Sequence, residues 1–189
     1  MDMLNSLDLS DPSAMDAFWM YSNATSSIPM RQGKNMSSQD ALSKAHDVYE
    51  LLRQSGIIPG IGLSEQSSSA YSELMIADIG EVRTALIWRC SWWNGYGYGS
   101  SMALDDVTGK MLSLQLSLPP SDDVAEDPQR IAERWLEFCR SYYGEPDIGM
   151  ARSDISENEW TMSFPVSNGD LQYTQDVYLF ISHDVISFH

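Results

Sequence analysis

Basic residues and cysteines are scarce in this chain, and both shortages narrow what it can be. Eleven Lys and Arg residues stand against 27 Asp and Glu residues, which gives a formal net charge of -16 at pH 7. Such a charge repels nucleic-acid phosphates and anionic lipid headgroups, so we expect no nucleic-acid partner. The two cysteines, Cys90 and Cys139, are too few for a disulfide scaffold or a multi-cysteine zinc site.

Long hydrophobic runs are also missing. No apolar stretch reaches the roughly 18 residues that a spanning helix needs, so we expect no membrane insertion by this segment. No basic region followed by an apolar stretch opens the chain, so no signal peptide is visible. The leading methionine is either a genuine start or an addition before a trimmed ectodomain. Whether a membrane anchor lies outside this segment is a question that the sequence leaves open.

Sequence signatures of catalysis and metal binding are missing as well. There is no Gly-x-Ser-x-Gly motif, and neither cysteine lies in a nucleophile motif. The EF-hand spacing is absent around Asp105 and Asp106, so we interpret these acids, with those at 122–127, as a solvated turn and linker. The sequence therefore predicts no catalytic residue, no metal site and no cofactor.

Residues 1–36 read as a loosely organised N-terminal arm. Asp11 and Pro12 can cap a short helix, which would place Met15, Phe18 and Trp19 on one face. Residues 22–37 show no clear period and are predicted to form a loop.

Residues 37–120 predict a helix followed by an antiparallel meander. A serine cap, Ser37 or Ser38, opens a helix over 38–55, and Gly56 ends it. Apolar residues then alternate with polar ones over 82–93 and 112–118, with a possible strand near 70–77 and another near 98–104. The Ser and Gln face of 112–118 is expected to meet water.

The sequence of residues 121–189 again predicts a helix followed by an antiparallel meander. Asp127 and Pro128 open a helix, and Gly144 ends it. Strands are predicted near 150–155, 159–165, 172–182 and 184–188. The fold class is therefore α+β, with two helix-plus-meander units, each with a helix on one face of a sheet. Internal duplication is a hypothesis that rests on the order of elements.

Two stretches of the first unit resemble PepSY-type modules. Met36–Ala45 (MSSQDALSKA) is similar to the opening helix of that family, and Met102–Leu112 (MALDDVTGKML) is similar to its strand, Asp-x-x-Thr-Gly-Lys turn and returning strand. The resemblance implies a non-catalytic module that binds or restrains protein partners outside the cytoplasmic membrane of bacteria. It supplies no catalytic residue.

A cluster of aromatic residues supplies the candidate binding site. Alternation sends Trp88 and Trp92 to one strand face and Trp93 to the other. Trp93, Tyr96 and Tyr98 then form either an exposed patch for a protein partner or glycan, or a surface ring beside a core. Cys90 and Cys139 are interpreted as small hydrophobes, with a disulfide between them as the alternative.

These observations predict a non-enzymatic, extracytoplasmic binding or regulatory module of a bacterial membrane-anchored or secreted protein. The alternative is a cytosolic, immunity-type acidic protein that neutralises a basic protein, because 14 of the acids but only four bases lie in 121–189. An enzyme with an unfamiliar site remains a third reading, which a pocket lined by carboxylates of raised pKa would favour.

Overall fold

The protein has an α+β fold in which one antiparallel sheet carries the helices. The computed structural model describes residues 14–58, 68–78, 82–93, 99–118, 127–168, 171–182 and 184–189. The helices are α1 (Ala14–Asn23), α2 (Ser38–Gln54) and α3 (Pro128–Tyr143). The strands are β1 (Ser26–Met30), β2 (Ser68–Asp78), β3 (Val82–Trp93), β4 (Gly99–Asp105), β5 (Met111–Ser117), β6 (Gly149–Arg152), β7 (Glu159–Asn168), β8 (Leu171–Ile181) and β9 (Val185–Phe188).

All nine strands belong to one sheet, in the order β1-β2-β3-β4-β5-β9-β8-β7-β6. The predicted antiparallel pairing is confirmed, but the prediction of two units with separate sheets is not. The last strands of the two meanders, β5 and β9, pair with each other, with Leu114 opposite Phe188 and Leu116 opposite Ile186. Pairing these edges satisfies their backbone groups and buries four apolar side chains, which explains why the meanders fuse.

Helix α2 begins and ends where local chemistry predicts. Ser37 accepts from the backbone of Asp40, and the Asp40 carboxylate accepts from the backbone of Ser37, so the two form a capping box. Gly56, with φ 66°, follows the helix in the left-handed region that favours glycine. The helix buries Ala41, Ala45, Val48, Tyr49 and Leu52 and packs on β2, β3 and β4.

Helix α3 also has the predicted boundaries. Asp127 accepts from the backbone of Gln129, Pro128 occupies the first turn, and Gly144 ends the helix with φ 74°. The helix buries Trp135 and Phe138 and packs on β8. The full set of buried residues is Ala132, Trp135, Phe138, Cys139 and Tyr143.

Helix α1 joins both halves of the sheet. Its Phe18 is buried among three rings, with centroid distances of 5.2 Å to Tyr143, 5.1 Å to Phe164 and 5.8 Å to Phe188. The Tyr21 hydroxyl lies 2.9 Å from the hydroxyl of Ser113 on β5. The polar face of that strand is thus partly covered by a phenol. The predicted cap at Asp11 and Pro12 lies outside the described residues.

The loop predicted for residues 22–37 is wrong in its centre, where β1 pairs with β2 along Ser26–Met30. This strand gave no alternating signal because four of its five residues are exposed at the sheet edge. Pro29, which usually argues against a strand, is tolerated there because an edge strand can leave its outer side unpaired.

No helix in the part of the chain that the structure describes is long and apolar enough to cross a membrane.

Candidate binding surfaces

Trp93 stands out at the end of β3. As alternation predicts, Trp88 and Trp92 are buried while Trp93 remains 57% exposed. The ring of Trp93 lies against the start of β4, since a Cβ at Gly99 would be 3.5 Å from it. Tyr96 and Tyr98, which were predicted to complete the patch, lie outside the described residues.

A second exposed ring lies on the same sheet face. Tyr71 on β2 pairs with Arg89 on β3, and Arg89 shares its strand face with Trp93. Tyr71 is 48% exposed. Arg89 is held by Glu73 at 2.7 Å and donates to the Tyr21 hydroxyl at 3.1 Å. Sequence reasoning missed Tyr71 because β2 was expected only as a possible strand.

Small polar side chains form a row across the sheet beside these rings. Cross-strand register places Ser91 opposite Ser101, Ser101 opposite Gln115, and Gln115 opposite Ser187. Gln115 is exposed and the three serines are partly exposed. A row of hydroxyl and amide groups next to exposed aromatic rings offers both hydrogen bonds and apolar area to a partner.

The predicted solvated turn at Asp105 and Asp106 is wrong, because both carboxylates are buried, at 1% and 0% exposure. Asp106 accepts hydrogen bonds from the backbone of Lys34, Asn35 and Met36, and at 2.7 Å from the indole of Trp88. The carboxylate therefore fastens the segment before α2 to the sheet. Sequence patterns could not find this role, since its backbone donors lie 70 to 72 residues away and Trp88 lies 18 residues away.

Asp105 organises the turn that carries the family resemblance. One oxygen accepts from the backbone of Thr108 at 2.8 Å and from its hydroxyl at 2.6 Å. Gly109 follows with φ 66°. Burial raises the pKa of Asp105, and the hydrogen bonds from Thr108 oppose that rise. These hydrogen bonds hold the turn between β4 and β5 in place.

Lys110 ties the same turn to α3. Its ammonium donates to the backbone carbonyl of Tyr142 and lies 5.2 Å from the centre of the Tyr142 ring and 5.7 Å from that of Tyr143. Lys44 of α2 packs on Gly109. The turn is thereby fastened to both helices.

An open groove of about 510 Å³ lies between α2 and α3. Phe138 and Tyr142 stack at 5.0 Å along one wall, and Glu137 supplies the carboxylate among its lining residues. The Tyr142 hydroxyl accepts the amide of Met111, and burial raises the pKa of Tyr142 to about 12. The phenol is therefore not a neutral-pH acid or base, and the buried Asp105 does not line the groove. The lining residues are Leu51, Ser55, Arg134, Glu137, Phe138, Ser141 and Tyr142.

The two cysteines are buried free thiols. Burial raises the pKa of Cys90 to about 12 and that of Cys139 well above its usual value. Thiolate is the reactive form, so neither residue is suited to nucleophilic chemistry. Among the described residues, no group of three or more His, Cys, Asp or Glu side chains could hold a metal ion.

Comparison of the chain with protein-family models, with curated proteins and with solved structures gives no match.

Proposed function

We propose that this chain is a non-enzymatic binding or regulatory module whose protein partner contacts the sheet face around Trp93. The observation that carries the proposal is the 57% exposure of this tryptophan on a face that also presents Tyr71. Tryptophan and tyrosine are enriched among the residues that dominate binding energy at interfaces. The adjoining Ser and Gln side chains supply the polar surroundings that such anchors have.

The proposed setting is outside the cytoplasm of a bacterium, as part of an anchored or secreted protein. The support is the PepSY-like sequence at Met36–Ala45 and Met102–Leu112. The capping box at Ser37 and Asp40 and the turn at Asp105 and Thr108 have the local hydrogen bonds that those motifs need. Protease treatment of intact cells should remove the protein, whereas complete protection would contradict this setting.

We further infer that residues 37–120 and 121–189 are two related units. Helix α2 precedes strands β2–β5, and α3 precedes β6–β9. Each helix packs on strands of its own half, α2 on β2–β4 and α3 on β8. A binding face that runs through β5 and β9 would then draw on both units.

Site-specific photocrosslinking in the source bacterium tests the binding face. A phenylalanine-derived crosslinking amino acid at position 93, which keeps an aromatic ring there, should give one defined protein adduct. The matched control is position 178, because Tyr178 is also about half exposed, at 46%, but lies on β8, four strands away in the sheet. Equal adducts at both positions, or none at position 93, would contradict the proposal.

A loss-of-binding variant completes the test. Trp93→Ala should abolish recovery of the crosslinked partner with the tagged full-length protein, while Tyr178→Ala should leave it unchanged. Tyr178→Ala should change the free energy of unfolding by less than about 0.5 kcal/mol, and Trp93→Ala by about 1 kcal/mol, because the Trp93 ring packs on the start of β4.

A second candidate function is a cytosolic, immunity-type protein that neutralises a basic partner. It is favoured by the acidity of residues 121–189, which hold 14 carboxylates and four arginines. Such a surface would steer a basic protein. A neighbouring gene that encodes a basic toxin would favour this candidate over the first.

A further inference from the structure

The sheet edges of this protein are not equally protected. Edge strand β1 contains Pro29. On the other side, β7 extends past the start of β6, and its uncovered part contains Pro165. Proline removes a backbone donor and so discourages strand addition. Edge strand β6, Gly149–Arg152, contains no proline.

The backbone of β6 has two residues turned outward. The amide of Ser153 donates to the carbonyl of Glu159 on β7 at 2.9 Å. In an antiparallel pair, alternate residues face the neighbouring strand, so Ala151 faces β7 while Met150 and Arg152 face away. The amide and carbonyl groups of these two residues are positioned to pair with one more strand.

An exposed apolar side chain lies directly beside this edge. Ile155, in the turn between β6 and β7, is 96% exposed. The turn is held in place, because the Arg152 guanidinium donates to the Glu157 carbonyl at 2.7 Å and the Ile155 amide donates to the Ser153 hydroxyl at 3.2 Å. A fully exposed isoleucine on a hydrogen-bonded turn offers a partner apolar contact with little loss of backbone entropy.

Acidic side chains flank β6 in the sequence, and they outnumber the two cations nearby, Arg152 and Arg140, whose guanidinium donates to the Ile148 carbonyl. Between residues 145 and 159 there are five carboxylates and one arginine. The arginine, Arg152, is occupied by the Glu157 carbonyl and lies over the ring of Trp160 at 5.8 Å. A second acidic chain would be repelled here, whereas a basic chain would be attracted. The five carboxylates are Glu145, Asp147, Asp154, Glu157 and Glu159.

We propose that the β6 edge and the Ile155 turn bind a basic, extended segment of a protein partner, which adds to the sheet as a further strand. Backbone hydrogen bonds to Met150 and Arg152 supply register, Ile155 supplies apolar contact, and the carboxylates select positive charge. This surface lies at the far edge of the sheet from β1 and is independent of the Trp93 face.

The backbone contribution is tested with a short synthetic peptide of alternating lysine and valine, measured by fluorescence anisotropy. Arg152→Pro and Arg152→Ala both lose the guanidinium, but only the proline removes the outward amide donor. The proline variant should bind about three- to tenfold more weakly than the alanine variant, as expected for one hydrogen bond. Equal affinities for the two variants would refute strand addition.

The apolar and charged contributions are tested with variants that keep the fold. Ile155→Ser should weaken peptide binding, while Val82→Ser should not, although Val82 is also exposed, at 71%. Asp154→Asn should weaken it more than Asp47→Asn on α2. Equal losses within either pair would mean that the peptide binds only by general attraction, and would overturn the site.

Two further measurements keep this site distinct from the Trp93 face. A peptide of alternating glutamate and valine should not bind, and Trp93→Ala should leave binding of the lysine–valine peptide unchanged. Loss of binding in Trp93→Ala would place the peptide on the other face. Concentration-dependent dimerisation that Arg152→Pro abolishes would identify the occupant as a second copy and would also overturn the proposal.

Discussion

The Asp106 carboxylate should be one of the most costly side chains to remove from this protein. It is fully buried and accepts hydrogen bonds from the indole of Trp88 and from three backbone amides, at Lys34, Asn35 and Met36. The Asn35 side chain donates to it as well, at 3.0 Å. Loss of this acceptor would release the segment that leads into α2.

The magnitude follows from what each donor loses. The buried indole of Trp88 would have no acceptor, at a cost of about 1–3 kcal/mol, and each partly exposed backbone amide would lose about 0.5–1 kcal/mol. We therefore expect Asp106→Ala to lower the free energy of unfolding by about 3–5 kcal/mol. Asp106→Asn keeps one acceptor oxygen and should cost about 2 kcal/mol.

Urea unfolding of a double-mutant cycle measures the indole contact. Asp106→Asn and Trp88→Phe should each destabilise the protein, and their combination should cost about 1–2 kcal/mol less than the sum of the single changes. Asp47→Asn, on the exposed face of α2, serves as the control and should change stability by less than about 0.5 kcal/mol. An Asp106→Asn variant as stable as that control would refute the reasoning.

Gly33 packs closely against the Asp106 carboxylate and its donors. A Cβ at this position would lie 2.1 Å from the Asp106 carboxylate, 2.6 Å from the Met36 carbonyl and 2.7 Å from the Trp88 indole nitrogen. The backbone can approach the carboxylate only because glycine has no side chain there. The glycine is therefore required by the contact itself.

Three further predictions concern buried groups. Burial raises the pKa of Asp105, so the protonated carboxyl stabilises the folded state below the unfolded-state pKa, and this stabilisation is lost as the pH rises through the folded-state pKa. In urea unfolding, the free energy of unfolding of Asp105→Asn should therefore rise relative to that of the wild type from pH about 4 to 7. If the free energy of unfolding of Asp105→Asn fell relative to that of the wild type over this pH range, the reasoning would be contradicted. Cys90 and Cys139 should react with a thiol reagent at pH about 8 only in denaturant, because burial raises both pKa values; rapid native labelling would contradict it. In urea unfolding, Phe18→Ala should lower the free energy of unfolding by about 3–4 kcal/mol, because the Phe18 ring is buried. The control, Tyr178→Ala, should lower it by less than about 0.5 kcal/mol. Equal losses for the two variants would contradict the packing of α1.

Local sequence signals predicted the elements whose causes are local. The helix caps at Ser37 and Asp127 and the stops at Gly56 and Gly144 depend on side chains within a few residues of the helix end. Alternation likewise separated the buried Trp92 from the exposed Trp93, because adjacent side chains on a strand point to opposite faces.

Long-range pairing escaped prediction for a physical reason. The sequences of β5 and β9 do not predict that the two strands pair, because the backbone of an apolar, alternating strand can form hydrogen bonds with many different strands. The exposed strand β1 gave no periodic signal, since β2 specifies it through backbone hydrogen bonds. The polar residue Asp106 was assigned to solvent because its donors are distant in sequence.

Buried polar groups and exposed apolar groups have different roles in this protein. Asp106, which sequence reasoning assigned to solvent, uses its carboxylate in internal hydrogen bonds, and Asp105 uses one of its two carboxylate oxygens to accept from Thr108. The groove between α2 and α3 has its phenol bonded to the amide of Met111. Trp93 and Ile155, by contrast, are among the large apolar side chains that remain exposed, at 57% and 96%. Exposed aromatic and apolar side chains are suited to anchor a partner, which is why we propose binding at these two positions and a structural role for the buried carboxylates.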